Sequence, residues 1–379
     1  MIAMDAGAAT PERAPHFVFA RTPDLERAWP FMPERLVQRL GDLGTVEVVQ
    51  VAGEQPLGER ADLAAADAIA LFGGRLTARC VAAAPRLAAV GCITDKTGRG
   101  LPLEALAARS IAVIDATPAW GQSVAEVALC LALAALRRVP QWHAELATTR
   151  RVIRHETAQF CDAAGFANGD LGTKQIGVIG LGQIGGRVAR WCAALAAEAP
   201  RPWGPGLPPA PAGGLAGQVL GYDPFLAPAA TAGWGVRLVD VDTLVDESEV
   251  VFVTVPPTPT AHHLLDRGRI GRLRRGALVV LVTRAQPVDM DALRERVLAS
   301  ELCVAFDVYD VEPIPADDPL RGRPNVVHTP HIAGRTRDAN LRVAELIAGD
   351  FARILRGEPA RYELTPAAID VRLGRSPPG

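Results

Sequence analysis

The 379-residue chain carries 40 basic and 42 acidic residues, a formal net charge of −2; it has no global attraction to a DNA duplex, with one charge per roughly 1.7 Å, or to anionic lipid. Its length exceeds the ~250–300 residues at which a single core stops growing, so two domains are expected. Six scattered cysteines without a CxxC pair, and an N-terminus with neither a basic start nor an apolar run, indicate no disulfide framework and no signal peptide.

A cytoplasmic protein with reduced thiols is therefore expected, without nucleic-acid or membrane partners. The most apolar run, 127–136, is ten residues long, short of the ~20 that span a bilayer. Only two lysines occur, Lys96 and Lys174, and neither lies in GxxxxGK[ST], which excludes a P-loop nucleotidase.

From residue 15 the runs HFVFA, TVEVVQVA, AIALF, LAAVGC and IAVIDA alternate with helical segments. This is βαβ rhythm and predicts a parallel sheet covered on both faces. Residues 123–139 read as a longer helix, with Ser123 as N-cap and Glu126 three residues on in capping-box spacing. Its apolar face runs nearly all round, so burial between two bodies is expected. A second βαβ series follows through KQIGVIGLG, VLGYDP, VRLVD, VVFVTV, ALVVLVT, CVAFDV and NVVHTP, and a last helix spans 335–355. The expected organisation is a first domain over 1–121, a second over 122–334, and a 335–379 segment whose helix returns to the first. Residues 198–218 hold six prolines and five glycines. That composition predicts a surface loop, with Trp203 pinning it.

GVIGLGQIGGRVARW places Gly180, Gly182 and Gly185 in GxGxxG spacing between an apolar strand and a helix. Glycines let the chain turn tightly and approach a pyrophosphate, whose charge then sits on the helix N-terminus. Gln183 and Ile184, inside the turn, are candidate cofactor contacts with it. The fingerprint also requires an acid about 20 residues on to hold the ribose hydroxyls. Asp223 lies 43 positions after Gly180, and removing the 21 loop residues of 198–218 leaves 22. The loop thus reads as an insertion that spares the nucleotide site. An acid here, without a neighbouring arginine, favours NAD over NADP, because a 2′-phosphate would meet a like charge.

Later strand ends carry Pro256, Thr283, Arg284, Asp307, Glu312 and His331, at the edge where open α/β sheets bind ligands. An arginine can grip a carboxylate or ketone oxygen with its planar fork. A histidine hydrogen-bonded to a glutamate is a base poised near neutral pH. Arg284, Glu312 and His331 are accordingly the catalytic candidates; Pro256 and Thr283 are assigned to the cofactor. His328 is read as structural, because Pro330 breaks the helical presentation that a zinc pair uses, and no metal is expected. His262 and His263 fall at an expected helix start as exposed or capping residues, and Cys303 fits a buried strand.

SVAEVAL, GVIGLGQIG, GYDP, VPPTPTAHHLL, TRAQPVDMDAL, FDVYDVEP and NVVHTPHIAG, in that order over roughly 105–345, resemble the D-isomer-specific 2-hydroxyacid dehydrogenases. The resemblance implies a Rossmann NAD-binding domain and a flavodoxin-like substrate domain, both doubly wound α/β, with catalysis in the cleft between them and homodimers formed through the cofactor domain. It implies that Arg284 binds the substrate carbonyl and carboxylate, that His331 is the general acid/base, that Glu312 orients it, and that Asp307 supports the cofactor side. The chain departs from the family pattern at Leu281, Ala285 and Gln286, and at Trp120 in place of an asparagine. It also departs in 90–106, where the family's glycine-rich substrate loop is expected. There Gly91 and Cys92 are read as keeping the turn, with Lys96 and Arg99 adding charge, and Trp120 as packing beside a bulkier or more apolar substrate. The competing readings are an NAD(H)-binding corepressor-like module with little turnover, and a methyltransferase, which the arginine and histidine motifs disfavour.

Overall fold

The computed structural model describes residues 13–93, 100–154, 166–198, 217–365 and 368. The chain divides into two compact units, Met1–Ala119 with Arg337–Ile369, and Trp120–Thr336 with Asp370–Gly379.

In the first unit β1 (His16–Arg21), β2 (Thr45–Gln50), β3 (Ala68–Phe72), β4 (Ala89–Cys92) and β5 (Ala112–Asp115) form a parallel sheet in the order β2-β1-β3-β4-β5. This is the flavodoxin-like order. Strands β3, β4 and β5 are buried at every residue, which is why they read as unbroken apolar runs rather than alternating ones. The helix Arg337–Leu355 packs along β4, β5 and the helix Met32–Gly41. Its Phe351 ring stacks on Phe17 with centroids 6.2 Å apart. The chain then turns back on Asp350, whose buried Oδ2 accepts the N–H groups of Arg361 (3.0 Å) and Tyr362 (2.7 Å).

In the second unit β6 (Gln175–Ile179), β7 (Gln218–Tyr222), β8 (Arg237–Leu238), β9 (Val250–Val253), β10 (Leu278–Leu281), β11 (Cys303–Phe306) and β12 (Val326–His328) are all parallel, ordered β12-β11-β10-β9-β6-β7-β8. Counted from β6, the order reverses between β6 and β9. That reversal is the Rossmann switch point, where ligands of such sheets bind beyond the strand C-termini. Asp240, Asp266 and Asp289 cap the short helices that follow by accepting the N–H three residues on.

The long helix differs from expectation. It runs Gly121–Leu136, so Ser123 lies inside it, and the Ser123 hydroxyl pairs with Thr336 Oγ1 at 3.0 Å. Glu126 accepts from Gln122 Nε2 instead of closing a capping box. One face, with Val124, Ala125, Ala128, Leu131, Ala132 and Ala135, is buried on β10, β11, β12 and the helix Gly185–Glu198, while Cys130 and Leu133 are exposed. Thr117–Leu136 is long and apolar enough to cross a membrane by composition, with a mean hydropathy of 1.5, but 56% of it is buried within the protein. Small side chains on the buried face let the helix lie close to the sheet, which accounts for its apolar character.

The inserted loop with Trp203, the charges Lys96 and Arg99, and Cys161 lie outside the described residues.

Candidate active site

The glycine turn is built by close backbone approaches. Gly180 takes φ +89°, and a Cβ there would fall 2.7 Å from Val255 Cγ1. A Cβ on Gly185 would fall 1.8 Å from the Gly180 carbonyl oxygen and 2.3 Å from Thr254 Oγ1. Gly182 is exposed, with open space where a side chain would go. Beside it, Gln183 is exposed and Ile184 partly buried, and Arg187 donates to the Gln183 side chain (2.9 Å) and to Gln122 (3.2 Å). The 14-residue helix Gly185–Glu198 starts directly from this turn, so its first N–H groups point at whatever sits there.

Two side chains hold the turn. Thr254, one residue past β9, donates to the carbonyls of Ile179 (2.9 Å) and Gly180 (2.7 Å). Asp223, past the end of β7, accepts the Leu181 N–H through Oδ2 (2.9 Å) and the Phe225 N–H through Oδ1 (3.0 Å). Asp223 thus lies within hydrogen-bond reach of the turn, where the ribose acid of the fingerprint belongs. Thr254 was missed by sequence reasoning. Its signal is a hydroxyl closing the apolar strand VVFV next to the switch point.

Thr283 and Pro256, expected as cofactor contacts, lie just beyond the C-terminal ends of β10 and β9. The Thr283 hydroxyl is buried and donates to the Val255 carbonyl (3.0 Å), tying the ends of β9 and β10 together, while Pro256 is exposed beyond β9. Arg284 follows, partly buried, with Nη1 on the Thr283 carbonyl at 2.7 Å.

His331 sits beyond β12 with its Nδ1 2.6 Å from Glu312 Oε2, both side chains about one-third exposed. The other Glu312 oxygen accepts the Tyr309 N–H at 2.9 Å. A carboxylate so placed accepts, which puts the ring proton on Nδ1 and leaves Nε2 to exchange a proton with a ligand. His331 adopts φ +55°, a left-handed conformation that costs a non-glycine residue energy and persists where its surroundings impose it.

Those surroundings are Asp307 and Gly334. Asp307 is fully buried past the end of β11; Oδ1 accepts from Thr329 Oγ1 (2.7 Å) and the Ile332 N–H (2.9 Å), and Oδ2 from the Ala333 N–H (2.9 Å). The residue expected on the cofactor side is thus engaged with the His331 loop. Gly334 lies so close to Trp120 that a Cβ would fall 2.7 Å from the indole. The Trp120 ring therefore buttresses the same loop, which removes the ground for expecting a bulkier substrate beside it.

Gly91 and Cys92 are corrected outright. Both lie within β4, buried, and a Cβ on Gly91 would fall 2.8 Å from Ile347 Cγ2. Gly91 is a glycine because the last helix packs against it, not because amides there face a ligand. His328 is structural as expected, its ring between Tyr309 Oη (3.2 Å) and the Leu320 carbonyl (3.2 Å), and burial lowers its pKa. His262 and His263 follow a 3₁₀ turn rather than open a helix; they are exposed and stacked, with centroids 4.1 Å apart. Cys303 is in β11, and burial pushes its thiol up to about 11. Among the described residues, no group of three or more His, Cys, Asp or Glu could hold a metal ion.

The glycine turn, Asp223, Arg284, Asp307 and His331 thus all follow the C-termini of strands in one parallel sheet. Residues 211–333 match the family model of the D-isomer specific 2-hydroxyacid dehydrogenase NAD binding domain. The chain is 33% identical over 300 residues to a D-3-phosphoglycerate dehydrogenase of Archaeoglobus fulgidus, covering 78% of this chain and 50% of that protein. It is 29% identical over 352 residues to one of Methanocaldococcus jannaschii, covering 91% and 60%. The chain therefore spans about half to three-fifths of the length of these relatives. Its fold is similar to that of a phosphoglycerate oxidoreductase from Rhizobium etli, with a TM-score of 0.72 and 21% identity, over 92% of this chain and 97% of the other. A glycine turn at the Rossmann switch point and a paired glutamate and histidine beyond later strands agree with these likenesses: over most of its length the chain is similar to D-isomer-specific 2-hydroxyacid dehydrogenases, and residues 211–333 match that family's NAD binding domain.

Proposed function

We propose that the protein is an NAD-dependent oxidoreductase that interconverts a 2-hydroxy carboxylate and a 2-oxo carboxylate. The observation that carries this reading is the 2.6 Å contact of His331 Nδ1 with Glu312 Oε2, on the same sheet edge as the glycine turn. The turn fits a dinucleotide: Gly182 opens onto free space, Gly180 and Gly185 permit the approach, and a helix N-terminus faces it. Gly180, Gly182, Gln183, Ile184 and Gly185 would hold the pyrophosphate, and Asp223 the ribose hydroxyls. When bound, the nicotinamide supplies the hydride donor or acceptor.

The chain's own residues handle the proton and the carboxylate. In oxidation His331 Nε2 takes the substrate hydroxyl proton, and the imidazolium that forms is stabilised by Glu312; in reduction the proton returns to the carbonyl oxygen. Arg284 grips the substrate carboxylate through its fork. The Asp223 carboxylate opposes a 2′-phosphate, which favours NAD over NADP.

Turnover of NADH against 2-oxo acids graded in size, with wild type and His331→Ala, tests the reading. Loss of acid/base help lowers the rate by about 10²- to 10⁴-fold. An undiminished variant removes His331 from the mechanism, and a rate with NADPH equal to that with NADH overturns the role of Asp223.

The assembly proposed is a homodimer formed through the Rossmann unit. The helix Val139–Thr148 buries none of its residues, and Leu133, Val139, Leu146 (65%) and Val152 (84%) are exposed on or beside it. Neighbouring apolar side chains left to water in this way favour association.

A further inference from the structure

The contacts around His328 need more protons than neutral groups supply. His328 Nε2 lies 3.2 Å from the Leu320 carbonyl, His328 Nδ1 lies 3.2 Å from Tyr309 Oη, and Tyr309 Oη lies 3.1 Å from the Thr329 carbonyl. Each contact requires one hydrogen, and two of the three end on a carbonyl, which only accepts. A phenol and a neutral imidazole bring two hydrogens. One contact must then go unmade, whichever tautomer forms. With both ring nitrogens of His328 protonated, Nε2 donates to Leu320, Nδ1 donates to Tyr309, and the Tyr309 hydroxyl is released to donate to Thr329.

Thr329 stands two residues before His331, and Tyr309 also gives its backbone N–H to Glu312. Tyr309 thus contacts Glu312 through its main chain and, through its hydroxyl, the Thr329 carbonyl at the start of the His331 loop. Its ring is buried and lies nearly parallel to that of His328, at 24° with centroids 6.1 Å apart. Burial of the ring opposes a second proton on His328, and the Leu320 carbonyl favours it; of the charged groups that face the ring, Asp318 favours that proton and Arg321 opposes it. On the Tyr309 side stand Asp307 and Glu312. The helix Gly121–Leu136, which packs on β12, brings no charged residue on its buried face.

We propose that Tyr309 and His328 are positioning residues for His331, which together fix the Thr329 carbonyl and hold it more tightly when His328 carries a proton on each ring nitrogen. The proposal rests on the reading of His331 as the proton carrier. It adds a second histidine that never touches substrate yet couples the set of the catalytic loop to pH.

The test uses the full chain with Tyr309→Phe and His328→Gln. Phenylalanine keeps the ring and the backbone N–H to Glu312 but removes the hydroxyl. Glutamine can donate to Leu320 and accept from Tyr309, so it mimics neutral histidine at every pH. Tyr309→Phe is expected to lower kcat for 2-oxo acid reduction roughly fivefold, the worth of one hydrogen bond, with KM for NADH unchanged. His328→Gln is expected to remove one inflection from the kcat–pH profile, on the acid side of the ordinary histidine midpoint because burial lowers the His328 pKa. A Tyr309→Phe protein whose kcat matches wild type at every pH overturns the proposal.

Ring NMR of the histidines separates this outcome from failure of the enzymatic reading. In wild type the His331 ring signals should follow the His328 midpoint, and in His328→Gln that inflection should be gone, whether or not the protein turns over. A wild-type protein inactive on all 2-oxo acids that still shows this coupling defeats the functional reading and supports the clamp. His331 signals indifferent to His328 defeat the clamp.

Discussion

Replacing Asp307 by asparagine offers a sharp test of what holds His331 in place. The carboxylate is fully buried and accepts three hydrogen bonds, two of them from the backbone N–H groups one and two residues after His331. Asparagine matches its shape but trades one oxygen for an NH₂ group. Either orientation then sets that NH₂ against the N–H of Ile332 or of Ala333, donor against donor. A hydrogen bond to a charged acceptor is worth about 1.5–3 kcal/mol, and leaving its buried donor unpaired costs a similar amount. A local destabilisation of about 2–3 kcal/mol follows, equivalent to roughly 30- to 150-fold faster opening, since about 1.4 kcal/mol is a factor of ten. Amide hydrogen exchange measured at Ile332 and Ala333 should show at least one of the two accelerated by that factor, with the amides of β6 unaffected. With the left-handed His331 released, the kcat for 2-oxo acid reduction should fall as well. If both amides stay protected in Asp307→Asn, this carboxylate does not hold the loop and the account of the site is wrong.

The remaining expectations concern the turn, the thiols and the assembly. Gly185→Ala forces a methyl group to within 1.8 Å of the Gly180 carbonyl oxygen; NADH affinity by fluorescence titration should drop more than tenfold, and near-normal binding would refute the close approach. Burial raises the Cys192 thiol to about 12 and Cys303 to about 11. The unfolded chain therefore loses these protons first as pH rises above about 8.5. Stability should fall by about 1.4 kcal/mol per pH unit per thiol from pH 9 toward 11; urea unfolding of wild type and Cys192→Ala measures it, and identical slopes would refute it. Leu146→Glu and Val152→Glu should convert a dimer to a monomer in light scattering without loss of NADH binding, and an unchanged mass would exclude this face.

The fold was largely legible because its strands are buried on both faces. VVFV, LVVL and AIALF are apolar without interruption, and such short runs between helical stretches leave a covered parallel sheet as the economical reading. The glycine turn was legible for a similar reason: the steric demand that Gly185 meets is local, set by a carbonyl five residues earlier. The long helix misled in its cap, since a serine three residues inside a helix can be claimed by a partner far along the chain. Ser123 is claimed by Thr336, and that partner is a property of the tertiary structure.

What the site residues do was harder to read than where they lie. Gly91, Cys92 and Trp120 were placed by position relative to a family pattern, yet Gly91 leaves room for the last helix, Cys92 packs in the core on the opposite face of β4, and Trp120 props the His331 loop. Asp307 was found, but on the wrong errand, because a buried carboxylate's partners are backbone amides and these leave no mark in side-chain sequence. The same blindness hid Thr254 and Tyr309, each of which acts on main-chain carbonyls. Catalytic groups must be of particular chemical types and so stand out in a sequence. The residues that hold them need only a hydrogen-bonding atom in the right place, and here they outnumber the groups they hold: His331 depends directly or through its loop on Glu312, Asp307, Thr329, Tyr309 and Trp120. Together these contacts hold His331 in its left-handed conformation, so the cost of that backbone angle is borne by the whole loop rather than by any one partner.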